Sequence, residues 1–67
     1  MIEYSNSEIT RVINEYIHNE RNRRILLRRY VDGVTIDGLA REFDLSDTSI
    51  KKIIYGNEGV IFKHLES

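Results

Sequence analysis

The sequence predicts a small all-α domain of four to five helices, and two observations support this fold class. Proline is absent and only four of the 67 residues are glycine, so few positions interrupt a helix. Apolar residues also recur at helical spacing in several successive segments. We expect helices at about 7–18, 20–32, 36–43 and 47–55, with a short last helix at about 58–65.

The length predicts one domain, residues 1–67, that includes an N-terminal amphipathic helix. Cysteine is absent, so no disulfide or thiolate metal site can reinforce the core. No apolar run approaches the roughly 18 residues that a membrane span needs. The first residues also lack the basic and apolar regions of a signal peptide. We therefore expect a cytoplasmic protein with no membrane partner.

In the first helix, Ser5 and Glu8 have the spacing of a capping box, and Ser7 is a rival N-cap. The helix carries an apolar stripe at the i, i+3, i+4, i+7 and i+8 positions: Ile9, Val12, Ile13, Tyr16 and Ile17. This stripe packs either on the rest of the chain or on a second copy, which would give a homodimer through the N-terminal helix. A small core needs the apolar area, which favours packing within the chain.

The second helix begins with an arginine-rich segment, "RNRRILLRR", which holds five arginines in nine residues. Asn19 is the expected N-cap, and Asp32-Gly33 is expected to end the helix. The arginines can act as a clamp for DNA phosphates. They can equally form surface ion pairs with neighbouring carboxylates, for which the candidates are Glu15, Glu20, Asp32 and Glu42.

The third and fourth helices are predicted to be joined by about three residues, with Thr35 and Ser46 as their N-caps. Ala40 is small enough for a close approach of the two helices, and Leu45 follows the link as an apolar anchor. This pattern is typical of a helix-turn-helix, in which the second helix enters the major groove of DNA. The inward stripe of that helix would consist of Ile50, Ile53 and Ile54.

Polar residues outside this stripe are candidates for contact with bases. Lys51 and Lys52 can donate to guanine or to phosphates, Thr48 can contact a thymine methyl group or a phosphate, and Asp47 can accept from cytosine. Simpler interpretations also stand. Asp47 compensates the helix dipole, and the lysines belong to a solvated face.

The stretch "TIDGLAREFDLSDTSIKKII" resembles the promoter-reading helix-turn-helix of bacterial sigma factors, their region 4. The matching positions are Thr35, Ile36, Leu39, Ala40, Phe43, Leu45, Ser46, Ile50, Lys51 and Ile53. The preceding "RRILLRRYVDG" resembles the helix that comes before it in that region. The layout is also similar to Mor-type phage transcription activators and to small sigma-like proteins of prophages. Asp44 occupies a turn position where glycine is common in the family, and aspartate tolerates that backbone conformation.

The resemblance implies that the chain is a transcription regulator that binds duplex DNA sequence-specifically. Residues at the groove-facing positions would be Asp47, Thr48, Lys51 and Lys52. Arg28, Arg29 and Thr35 would lie near phosphates, and we expect Arg21, Arg24 and Tyr55 to complete the phosphate contacts. Four to six basic side chains on phosphates would give a slope of log K against log salt of roughly −4 to −5. RNA polymerase is a further candidate partner.

The main alternative is a protein-interaction module that uses the same scaffold to bind a polymerase subunit or another regulator. An enzyme is not expected, because neither His18 nor His64 has a partner at catalytic spacing, and no phosphate loop or nucleophile motif occurs. No metal site or cofactor is predicted. Apart from Tyr55, which is expected on the exposed side, the aromatic residues are expected to lie mostly in the core.

Overall fold

The computed structural model describes residues 4–66, which form four α-helices and no strand. Helix α1 spans Asn6–Tyr16, α2 spans Glu20–Tyr30, α3 spans Ile36–Phe43 and α4 spans Asp47–Glu66. The predicted all-α class is confirmed. The first two helices end two residues earlier than expected, and the fourth continues far beyond its predicted end.

Each helix begins at a side-chain cap that satisfies a backbone N–H of its first turn. Ser5 Oγ accepts from the Glu8 N–H at 3.2 Å, which decides against Ser7 as the cap. Asn19 Oδ1 accepts from the Asn22 N–H at 3.0 Å. The hydroxyls of Thr35 and Ser46 accept at 3.1 Å from the N–H groups three residues after each. The four predicted caps are therefore confirmed, and each stabilises its helix by about 1 kcal/mol.

All four helices contribute to one apolar core. Its buried members are Val12, Ile13, Ile17, Ile25, Leu26, Leu39, Ala40, Ile50, Ile54 and Ile61. Both α2 and α4 pack against each of the other three helices, so these two helices share the central position in the bundle.

The apolar stripe of α1 packs mainly against the rest of the chain. Val12 and Ile13 are fully buried, Ile17 is 4% exposed, and Ile9 packs against the same cluster. Tyr16 departs from the prediction, since it is 40% exposed and stacks on His64 with 3.5 Å between the ring centroids. Val12, Ile13 and Ile17, three of the side chains proposed for a homodimer through α1, are thus already buried within the chain.

The link between α3 and α4 consists of three residues with one left-handed position. Asp44 adopts φ 56° and ψ 48°, the conformation expected from its place in the turn. The N–H of Leu45 donates to the carbonyl of Ala40 at 2.9 Å, which closes the end of α3. Ala40 is buried where the helices meet, and Leu45 packs against the core after the turn. These contacts set the direction in which α4 leaves the turn.

Helix α4 is one continuous helix of 20 residues, and the expected break between a helix at about 47–55 and a short last helix at about 58–65 is wrong. Residues 58–65 form the second half of α4 instead of a separate short helix. The two glycines lie on the solvent side, while Ile54 and Ile61 are buried on either side of them along the helix. The core therefore holds both halves of α4, which outweighs the low helix propensity of glycine. The helix is about 30 Å long.

We predict that Gly56→Ala and Gly59→Ala each raise the free energy of unfolding by up to about 1 kcal/mol. Both glycines are helical, and an added Cβ would meet no atom within 4 Å. Gly33→Ala is the matched control and should lower the stability, because Gly33 has φ +73°. Urea unfolding measures all three variants. A loss of stability in the first two would contradict a continuous α4.

Candidate nucleic-acid interface

The outward side of the first half of α4 carries the residues predicted to contact DNA. Thr48, Lys51, Lys52 and Tyr55 are exposed, and the exposed fraction of Tyr55 is 61%. Helical geometry places these four within an arc of about 100°. We call this group the α4 face. Asp47 is also exposed and lies at the edge of the arc, in the first turn.

The lysines of the α4 face form no ion pair with any side chain of residues 4–65. Asp47 precedes Lys51 by four residues, a spacing that permits an ion pair, yet the structure has none between them. Both ammonium groups therefore project into solvent. They are available to an acceptor outside the chain.

Arg28 is held by carboxylates of its own chain. Its guanidinium donates to Glu42 from Nη2 at 2.8 Å and from Nε at 3.1 Å, and Nη1 donates to Asp32 at 3.0 Å. The hydrogen bonds to Glu42, and then those to Asp32, raise the pKa of Arg28 above its ordinary value. The sequence allowed the arginines either to contact DNA phosphates or to form surface ion pairs. In the structure, Arg28 forms ion pairs. Arg28 ties α2 to α3.

Arg29 also turns toward its own chain. Its Nη1 donates to the carbonyl of Val34 at 3.1 Å in a partly buried contact. Val34 lies in the loop that leads to α3, and the N–H of Val34 donates to the carbonyl of Arg28 at 3.1 Å. Arg28 and Arg29 therefore hold the α2–α3 connection, Arg28 through three of its nitrogens and Arg29 through Nη1.

The remaining predicted phosphate contacts lie at the surface. Arg21 and Arg24 are exposed and form no ion pair with residues 4–65. The guanidinium of Arg24 lies 5.9 Å from the centre of the Phe43 ring, a cation–π contact that links α2 to α3. The hydroxyl of Thr35 is exposed but serves as the cap of α3. Arg21 and Arg24 are thus the arginines of the predicted set that can reach a phosphate without breaking an ion pair or a hydrogen bond to the α2–α3 loop.

Carboxylates also lie near the start of α4. Asp44 and Asp47 are both exposed, and neither forms an ion pair within residues 4–65. The partial positive charge of the helix N-terminus stabilises an anion in this first turn. Positive potential on α4 therefore begins one turn after its first residue, at Lys51.

The exposed aromatic residues on the second half of α4 were not predicted. Phe62, expected in the core, is 39% exposed and meets Tyr30 edge-on with the ring centroids 6.0 Å apart. Partial burial raises the pKa of the Tyr30 phenol, and the charge of Glu58 raises it further. The signal was present in the spacing, because Phe62 follows Tyr55 by seven residues. That spacing places the two rings on the same side only if both belong to one helix, that is, if α4 continues past Gly56.

Comparison of the chain with models of protein families, with curated proteins and with solved structures finds no match. Within the part of the chain that the structure describes, no group of three potential metal ligands and no pocket occurs. None of the helices there combines the length and the apolar character that crossing a bilayer requires.

We predict that Arg28→Gln lowers the melting temperature, because it removes a bidentate contact between α2 and α3. The loss should shrink between about 0.05 M and about 0.5 M salt, since exposed ion pairs are screened. Arg23→Gln is the control, because Arg23 lies on the same helix and forms no ion pair within residues 4–65. Equal losses in the two variants would show that the contacts of Arg28 do not stabilise the fold.

Proposed function

We propose that the chain is a small transcription regulator that binds duplex DNA sequence-specifically, with α3 and α4 acting as a helix-turn-helix. The observation that carries the proposal is the α4 face. It follows directly after a short, well-packed turn, is covered by no other part of residues 4–66, and presents two lysines without ion pairs. A major groove admits one α-helix, and its base edges offer acceptors for such donors.

Within this proposal, residues 47–55 lie in the groove. Lys51 and Lys52 donate to base or phosphate acceptors, and Thr48 contacts a methyl group or a phosphate. Asp47 selects for a cytosine amino group, because phosphate oxygens at the same place would be repelled. The resemblance to sigma region 4 supports the same assignment, and a regulator of this kind works in the cytoplasm.

The phosphate contacts fall to Arg21, Arg24, Thr35 and Tyr55. Arg28 and Arg29 support the interface indirectly, since they hold α3 and its preceding loop. The division matches a general feature of DNA recognition, in which backbone contacts set the register and base contacts set the sequence.

We predict that Lys51→Ala combined with Lys52→Ala weakens binding to the preferred site by roughly 1–3 kcal/mol. The preferred site is first obtained by selecting bound sequences from a random duplex pool at about 0.1 M salt. Arg11→Ala combined with Lys63→Ala removes the same net charge outside the proposed interface and should leave the affinity nearly unchanged. Equal losses in both double variants would mean that charge alone, without the α4 face, governs binding.

We predict a slope of log K against log salt of about −3 to −4, because roughly four positive charges, those of Arg21, Arg24, Lys51 and Lys52, remain at the proposed interface once Arg28 and Arg29 are engaged in the α2–α3 connection. A titration of the selected duplex at several salt concentrations measures the slope. Arg21→Gln should reduce its magnitude by about 0.9, whereas Arg28→Gln should leave it unchanged. A slope near zero would exclude DNA as the ligand.

The interaction-module alternative has one supporting observation, the exposed carboxylates of Asp44 and Asp47 beside the start of α4. They suit a basic surface on a partner such as an RNA polymerase subunit. Failure of the duplex pool to enrich any site, together with polymerase binding that Asp44→Asn and Asp47→Asn weaken, would favour this function over DNA binding.

A further inference from the structure

Residues 55–63 of α4 have an outward surface, which we call the distal face. It consists of Tyr55, Gly56, Gly59, Val60, Phe62 and Lys63. The opposite side of the same turns is buried through Ile54 and Ile61. The distal face is therefore fixed in orientation by the core, and no other helix of residues 4–66 covers it.

Helical geometry places the exposed side chains of Tyr55 and Phe62 on one side of the two glycines of the distal face, and that of Val60 on the other. Tyr55 is 61% exposed, and Val60 and Phe62 are each 39% exposed. Tyr30 of α2 extends the surface through its edge-on contact with Phe62. Single exposed apolar residues are ordinary, whereas a contiguous group marks a place where another molecule binds.

Neither the backbone conformation nor the packing of the described residues requires glycine at the two positions between these side chains. Neither Gly56 nor Gly59 has a positive φ, and no atom lies within 4 Å of the position of an added Cβ. Glycine is the least favourable residue in a helix after proline. Open space directly above a helix backbone permits the close approach of a second backbone.

The charges around the distal face discriminate among partners. Lys52 and Lys63 flank the two glycines along the helix, one turn before Gly56 and one turn after Gly59, and form no ion pair within residues 4–65. The one carboxylate on residues 48–65 is Glu58. A second copy on this face would bring four lysines together, which costs free energy through like-charge repulsion. DNA would satisfy the lysines but would leave the aromatic rings and the glycines without a contact.

We propose that the distal face binds an acidic amphipathic helix of another protein. The apolar residues of that helix, at the i, i+3, i+4 and i+7 positions, pack over Gly56 and Gly59 between Tyr55 and Phe62. Its flanking carboxylates pair with Lys52 and Lys63. This site is separate from the proposed DNA contacts, except that Tyr55 and Lys52 lie at the border of both.

The test is a selection against the full chain with a library of helical peptides. The peptides carry leucine at the i, i+3, i+4 and i+7 positions, and the flanking positions are randomised among Glu, Gln and Lys. We expect enrichment of Glu and amide chemical-shift changes centred on Gly59 and Phe62 when an enriched peptide is added. Gly59→Gln should reduce the affinity for that peptide at least tenfold.

Folding and DNA binding serve as independent controls for this variant. Gly59→Gln places a good helix former in open space, so its melting temperature should equal or exceed that of the unchanged chain, and its affinity for duplex DNA should be unchanged. Enrichment of Lys, no enrichment, or equal binding of the peptide by Gly59→Gln would each overturn the proposal. Concentration-dependent dimerisation that Gly59→Gln abolishes would assign the face to a second copy. Shifts of Gly59 and Phe62 on adding duplex DNA alone would assign it to DNA.

Discussion

The attachment of α4 to the core is the constraint on which the other features of this domain depend. Three isoleucines at positions 50, 54 and 61 are almost completely buried, and they hold both halves of the helix to the other three helices. A chain of this size buries a smaller fraction of its surface than a larger domain does, so a helix that contacts every other helix supplies much of its stability. Because the inward side is fixed, the outward side has one orientation. The proposed binding surfaces follow from that orientation.

The charges of the domain are arranged so that ion pairing organises α2 and α3, while Lys51 and Lys52 of α4 form no ion pair within residues 4–65. The described ion pairs join residues of α1, α2 and α3 and the turn after α2. Arg28 takes part in two of these ion pairs, because its guanidinium contacts Asp32 and Glu42 at once. The chain carries a net charge of −1, which is unusual for a nucleic-acid-binding domain. Local geometry explains how such a chain can still present positive charge, since carboxylates neutralise arginines elsewhere and leave Lys51 and Lys52 exposed.

Features that depend on a few neighbouring residues could be predicted from the sequence. The caps at Ser5, Asn19, Thr35 and Ser46 need only a side-chain oxygen and an N–H three residues later. The left-handed turn at Asp44 is equally local. The continuation of α4 through Gly56 and Gly59 could not be predicted in this way, because it depends on the burial of Ile61 against other helices. A similar limit applies to Arg28: Glu42 was among the candidate partners of the arginine segment, but its choice depends on the packing of α3 on α2, which brings together residues 14 positions apart.

The continuity of α4 has a consequence for how the two proposed surfaces relate. Lys51 and Phe62 are separated by eleven residues, or about 16 Å along a helix axis. A helix held to a core along its length is rigid, so a molecule bound at the distal face would lie at a set distance from DNA bound at the α4 face. Lys52 lies at the border of both surfaces, where a phosphate and a carboxylate would compete for the same ammonium group. If both proposals hold, an acidic partner weakens DNA binding through Lys52, and by linkage DNA weakens the binding of that partner by the same factor.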